Sequence, residues 1–363
     1  MNISSISQTI DRALAAAGLN TQTGPMKSVT ATIERALAAA GLPQLREPGL
    51  GRTAPTFRRP LPTRPTTSLK RSRAPVTDVG QFLTLAYSNG KASRAYKLYV
   101  PSGYIGEPMP LIVMLHGCKQ NPDDFAIGTR MNELAELEGF LVAYPSQTTR
   151  ENGANCWNWF EGSQQSRSGV EPSLIAGIVG EIGRSYKVDS TRVFVAGLSA
   201  GAAMAVILGT AYPEVFSGVA AHSGLPLGAA HDVPSAFSAM RSGPAPSRNA
   251  ARLPAVPTIV IHGDADSTVS SSNGDAIVER AVLAHAQSDV ALLGRARPNS
   301  TARGRQISTT DFVDVDGRHR VEEWIVHGGS HAWFGGSPDG SYTDTTGPDA
   351  SAEIVRFFLG LRG

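Results

Sequence analysis

Ser199 stands in the run Gly197-Leu198-Ser199-Ala200-Gly201, a setting in which a hydroxyl can be raised to attack an electrophilic carbon. Directly before it, Arg192-Val193-Phe194-Val195-Ala196 is apolar and β-branched, which suits a buried strand. Directly after it, Ala202-Ala203-Met204-Ala205-Val206-Ile207-Leu208 suits a helix. A serine on a tight strand-to-helix turn is lifted above the sheet edge, and small flanking residues let strand and helix approach closely. The G-x-S-x-G pattern alone is common in loops. Between a buried strand and a helix it reads as a nucleophile elbow, and it predicts an α/β-hydrolase fold.

A serine hydroxyl is a poor nucleophile at neutral pH and needs a base, itself oriented by a carboxylate. On this frame the partners follow in the order serine, acid, histidine. Asp264 and Asp266 come after the apolar run Thr258–Ile261, so they fall at the C-terminal end of a strand. Open α/β sheets build their sites at that edge. His331 follows the strand ending at Val326 in the same manner and is read as the base. Asp266 is preferred as the orienting acid, and Asp264 as a turn residue holding backbone N–H groups. His116, His222 and His262 also lie near strand ends and read as structural, with His262 shaping the acidic turn. The oxyanion of a tetrahedral intermediate needs two N–H donors. One is the backbone N–H of Ala200. The second is expected from His116-Gly117-Cys118-Lys119-Gln120, from Cys118 N–H or, one residue on, Lys119 N–H.

The elements that must position these residues are legible from residue 79 onward. Gln81–Tyr87 and Ala95–Val100 read as strands joined across Asn89-Gly90, a strong hairpin signal. Leu111–Leu115 and Phe140–Tyr144 are apolar strands, Leu174–Tyr186 is helical, and Val193–Ala196 leads into the elbow. Thr258–Ile261 and Glu322–Val326 are later strands, and Ser351–Leu361 is an amphipathic C-terminal helix. Strands alternating with helices predict a mostly parallel central sheet with helices on both faces and an antiparallel N-terminal hairpin.

The N-terminal part differs. Residues 9–19 (Thr-Ile-Asp-Arg-Ala-Leu-Ala-Ala-Ala-Gly-Leu) recur almost unchanged at 32–42, each copy carrying one apolar helical stripe. Residues 1–42 are thus expected to be paired helical repeats, whose short helices need a partner surface. Residues 43–78, rich in Pro and Arg, read as a disordered, extended basic linker. The repeats on their tether would suit an anchor at an apolar or anionic surface, such as a polymer or granule.

The chain has 363 residues and a formal charge of +2, too small to imply a nucleic-acid partner for the whole molecule. No run of about 20 apolar residues occurs, so no transmembrane segment is expected. Met1-Asn2-Ile3-Ser4-Ser5 lacks a basic n-region and an apolar h-region, which makes a cytoplasmic location the default. Cys118 and Cys156 are too few for a zinc-ribbon set, and they read as two buried thiols or one disulfide. No metal or organic cofactor is implied.

A set of motifs strengthens the reading. Leu115-His116-Gly117-Cys118-Lys119-Gln120, Cys156-Trp157-Asn158-Trp159-Phe160, Val188-Asp189 before Arg192-Val193, and the elbow occur in that order. His222-Ser223-Gly224-Leu225-Pro226, His331-Ala332-Trp333 with Gly335-Gly336, and Gly340-Ser341-Tyr342-Thr343-Asp344 follow. Residues 79–363 resemble the polyhydroxybutyrate (PHB) depolymerase family of esterases, related to feruloyl and acetylxylan esterases. The resemblance implies a serine carboxylic ester hydrolase with Ser199, Asp266 and His331 as its triad. It also implies a Cys118–Cys156 disulfide fixing the oxyanion loop against the Trp157/Trp159 segment, and it brings in many exported relatives. Trp157, Trp159, Ser223, Trp333 and Tyr342 become candidate substrate contacts, with core packing the alternative for the three tryptophans. The implied substrate is PHB or a related short-chain ester, with feruloyl or acetylxylan esters, a peptidase, and a polymer-binding protein as alternatives. Two departures from the family pattern stand out. Ala202 replaces a second glycine after the elbow, and Glu171-Pro172-Ser173 replaces an aspartate-led helix start.

Overall fold

The computed structural model describes residues 80–90, 92–245 and 252–361. The expected helical repeats and linker therefore lie outside the described residues. In chain order the strands are β1 (Gln81–Ser88), β2 (Ser93–Val100), β3 (Met109–Leu115), β4 (Leu141–Pro145), β5 (Val188–Leu198), β6 (Gly218–His222) and β7 (Thr258–Gly263). Then come β8 (Leu293–Ala296), β9 (Ser300–Ala302), β10 (Arg305–Val313), β11 (His319–Val326), β12 (Trp333–Phe334) and β13 (Thr343–Asp344). The helices are α1 (Pro122–Thr129), α2 (Met131–Glu138), α3 (Val170–Ser185), α4 (Ala200–Ala211), α5 (Val233–Ser242), α6 (Ser272–Gln287) and α7 (Ala350–Gly360).

Eleven strands form one sheet in the order β1-β2-β4-β3-β5-β6-β7-β11-β10-β8, with β9 also on β10. The stretch from β4 to β11 is parallel throughout. The N-terminal hairpin is antiparallel, as expected, with Ser88 opposite Ser93. A second antiparallel margin, β8 to β10, was not anticipated. Its main strand, Arg305–Val313, alternates buried and half-exposed residues, but Ser and Thr dilute its apolar signal.

Strands β3 and β5 explain why the sheet is covered on both sides. Leu111, Val113 and Leu115 join one apolar cluster with Ile175, Ile178, Met204 and Leu208 of α3 and α4. Ile112 and Met114 point the other way, into a cluster with Phe125, Met131, Ile354 and Phe358 of α1, α2 and α7. A strand whose alternate residues face opposite cores must be apolar where both faces are covered, and β3 and the buried half of β5, Val193–Leu198, are. The helices on both faces are those expected for an α/β-hydrolase.

Close approach at the elbow demands its glycines. A Cβ on Gly201 would lie 2.1 Å from the carbonyl oxygen of Leu115, and one on Gly197 would lie 2.3 Å from Gly201 C. Both obstacles are backbone, so neither can swing away. Gly201→Ala should therefore lose about 3 kcal/mol or more of stability, measured by urea unfolding; a loss below 1 kcal/mol would contradict this packing. The Ala202 methyl is accommodated by a glycine across the interface, since a Cβ on Gly224 would meet it at 2.6 Å.

Candidate active site

Ser199 sits between β5 and α4 with φ 57° and ψ −118°, a strained backbone for a residue with a side chain. Its N–H donates to the His222 carbonyl at 2.9 Å, and its own carbonyl accepts from Ala203 N–H at 3.0 Å. Ala200 opens α4, so its N–H is one of the donors a helix start leaves without an intrahelical partner. Because β5, β6, β7 and β11 are parallel neighbours, the elbow, the acidic loop after β7 and the histidine loop after β11 share one sheet edge.

The two aspartates that sequence left in competition have separate partners. His331 Nδ1 lies 2.6 Å from Asp266 Oδ2, and the Asp266 carboxylate is fully buried. Its Oδ1 accepts backbone N–H bonds from Thr268 and Val269, both at 2.8 Å. His262, expected to shape this turn, approaches Asp266 Oδ2 at 3.3 Å and the Val269 carbonyl at 3.0 Å through Nε2. Burial alone would raise the Asp266 pKa, but bonds from His262, His331 and Val269 outweigh it and hold the carboxyl well below the usual carboxylate range.

Asp264 pairs instead with His327 Nδ1 at 2.8 Å and accepts Gly328 N–H at 2.7 Å. Ala265 N–H reaches the Gly329 carbonyl at 3.1 Å. Together these bonds clamp the acidic loop to the start of the histidine loop. Arg305 reinforces the same segment through the Gly328 carbonyl, and it pairs with Asp344 at 3.0 Å. Sequence reading assigned Asp264 a turn role but missed its partner His327.

The loop after β3 is fixed along its length. Cys118 and Cys156 are disulfide-bonded. Lys119 N–H donates to the Ala154 carbonyl at 2.7 Å, so of the two candidate donors it is the one already engaged. Gly117 N–H bonds Gln120 Oε1 at 2.9 Å, and Gln120 Nε2 reaches Asp124 and the Ser341 carbonyl, each at 2.9 Å. His116 Nδ1 donates to the Gly117 carbonyl at 2.8 Å while its Nε2 accepts Gln147 N–H at 3.1 Å.

That arrangement needs a neutral His116. Burial lowers its pKa from 6.5 to about 4, against the opposing pull of the Gly117 carbonyl. The unfolded chain takes up this proton near its ordinary pKa and the folded one does not, so the contribution is fully present above pH 6.5. It is lost as pH falls towards 4, a change of roughly 3 kcal/mol. Buried His222, whose pKa is also lowered, acts in the same direction. Thermal unfolding followed from pH 7 to pH 4 should show a falling Tm; a flat profile over that window contradicts the assignment.

Four of the five candidate substrate contacts are buried. Trp157 is 0% exposed and donates its indole N–H to the His116 carbonyl at 3.1 Å. Trp333 is 1% exposed, donates to Ser351 Oγ at 3.0 Å and stacks on His222 with centroids 4.9 Å apart. Trp159 is buried edge-on to Phe160. Ser223 is buried with its Oγ 3.2 Å from His222 Nδ1. The burial of the three tryptophans is what core packing requires. Tyr342 differs: its side chain is exposed, and its carbonyl accepts Trp333 N–H at 2.7 Å.

One metal-like cluster occurs among the described residues, at the opposite sheet edge. Asp311, His319 and Glu322 hold ligand atoms within 4.8 Å of one another. Arg297 already contacts Asp311 at 2.6 Å and Glu322 at 3.3 Å, and Arg356 also pairs with Glu322. Guanidinium groups thus supply the positive charge there.

A family model described as esterase PHB depolymerase matches residues 94–301, more than half of the chain. The chain belongs to the esterase PHB depolymerase family. Poly(3-hydroxyalkanoate) depolymerase C of Paucimonas lemoignei is 34% identical over 50% of this chain and 46% of its own length. Poly(3-hydroxybutyrate) depolymerase of Ralstonia pickettii is 26% identical over 65% of this chain and 51% of its own length. The chain thus spans about half the length of these curated relatives. Among solved structures, an acetyl xylan esterase from Aspergillus awamori aligns with a TM-score of 0.59 at 18% identity, over 78% of this chain and 100% of that one. That likeness agrees with the α/β-hydrolase fold. No helix among the described residues is long and apolar enough to cross a membrane.

Proposed function

We propose that this member of the esterase PHB depolymerase family is a serine carboxylic ester hydrolase working through an acyl-enzyme. The observation that carries the reading is the Asp266–His331 pair at 2.6 Å, anchored on the sheet edge that also bears the strained elbow serine. In this mechanism Ser199 Oγ attacks the ester carbonyl while His331 Nε2 takes its proton. Asp266, bound to Nδ1, fixes the ring's tautomer and stabilises the imidazolium. The tetrahedral oxyanion is held by the N–H groups of Ala200 and Cys118, Lys119 N–H being engaged elsewhere. Collapse expels the alcohol, which His331 protonates, and water then releases the acid by the same steps in reverse order.

The substrate proposed is PHB or a related short-chain hydroxyalkanoate ester, supported by what the two relatives are named for. Tyr342 is the candidate substrate contact that the fold leaves exposed. The Cys118–Cys156 bridge supports work in an oxidising compartment, where disulfides persist. A comparison of PHB, 3-hydroxybutyrate oligomers, a feruloyl ester and acetylated xylan tests the substrate. Turnover of the first two should exceed that of the others, and preference for feruloyl or acetyl esters would overturn the assignment. Labelling by a fluorophosphonate on Ser199, read by peptide mass, tests the nucleophile independently.

A further inference from the structure

Arg94 and Glu171 are each 2% exposed, and Gln147, also buried, lies between them. Arg94 Nη1 donates to Gln147 Oε1, and Gln147 Nε2 donates to Glu171 Oε1. Thr148 N–H also donates to Gln147 Oε1, at 2.9 Å, which fixes the direction of this amide. The Glu171 carboxylate further accepts Asn158 N–H at 2.8 Å and Asn158 Nδ2 at 2.7 Å. A carboxylate is costly to bury unless donors surround it, and here three do.

Both partners of Glu171 lead directly to the loop after β3. Gln147 Nε2 also bonds the Cys156 carbonyl at 3.0 Å, and Gln147 N–H bonds His116 Nε2 at 3.1 Å. Asn158 lies two residues beyond Cys156, whose sulfur is bonded to Cys118. The carboxylate therefore braces Cys118 from two sides, through the disulfide and through His116. Its two oxygens take donors from two separate segments, Gln147 and Asn158.

We propose that Glu171 is a positioning residue for the oxyanion site, aiming Cys118 N–H by holding Gln147 and Asn158 in place. This rests on the serine-esterase reading above. Glu171→Gln keeps the shape but turns an NH2 group towards one of three donors, and Gln147 cannot rotate to compensate. The expected result with p-nitrophenyl butyrate is a kcat lower by about tenfold with KM within about twofold. A trifluoromethyl ketone, whose serine adduct carries an oxyanion, should bind about tenfold more weakly. Glu171→Asp should show the same pattern at about threefold, and it carries the test if the glutamine variant does not fold. A lowered Tm with unchanged kcat and inhibitor affinity would mean packing alone and overturns the proposal. Ser199→Ala, run alongside, separates two failures. Turnover surviving there overturns the triad reading and this one with it, whereas its normal loss beside unaffected Glu171 variants overturns only the positioning role.

Discussion

Ser199→Ala and His331→Ala should each lower kcat on a soluble ester by about a millionfold, and the double variant should be no worse than either. In the proposed mechanism the nucleophile and the base act in one proton-coupled step, so removing either leaves the other without a task. What survives comes from the oxyanion donors and substrate binding. Asp266→Asn should cost about ten-thousandfold, because an amide facing His331 Nδ1 selects the wrong tautomer without moving the ring. Asp264→Asn is the matched control. Asp264 holds His327 and Gly328 N–H at the surface of the same loop, so its loss should change kcat by no more than about threefold. Steady-state kinetics on these five variants decide the matter. Equal losses at Asp264 and Asp266, or additive losses at Ser199 and His331, are incompatible with the mechanism.

Opening the Cys118–Cys156 bridge should damage stability and turnover together. The bond closes a loop between positions 38 residues apart, and the chain-entropy model assigns such a crosslink roughly 4 kcal/mol. For a domain of this size that corresponds to a Tm lower by roughly 10 °C. Turnover should fall by about tenfold or more, because the bridge anchors the residue whose N–H is proposed to meet the oxyanion. Cys156→Ser and the dithiothreitol-reduced protein should agree, with thiol titration confirming complete reduction. A fully reduced enzyme with unchanged Tm and kcat would remove the bridge from the account.

Legibility in the sequence followed how local each signal is. The elbow needs two glycines, a serine and a strand-to-helix switch within a dozen residues, all set by local sterics, and the structure gives Ser199 its positive φ. The fully apolar runs at 111–115 and 193–196 identified strands buried on both faces, since only such strands lack a polar side. The margin formed by β8 to β10 was missed because a strand half-covered at a sheet edge can carry serine and threonine.

The sequence by itself determined the elbow with its nucleophile candidate, the parallel core of the sheet and the family. Those follow from backbone sterics, hydrophobic periodicity and short motifs. Only the tertiary structure gave Asp266 to His331 and Asp264 to His327, because two acids two residues apart are distinguished by loops some 65 positions away. It alone revealed that Lys119 N–H is engaged, that three tryptophans are buried, and that Arg94, Gln147, Asn158 and Glu171 meet beside the loop after β3. Buried polar groups must find partners wherever the fold brings them, and no local pattern records which partners those are.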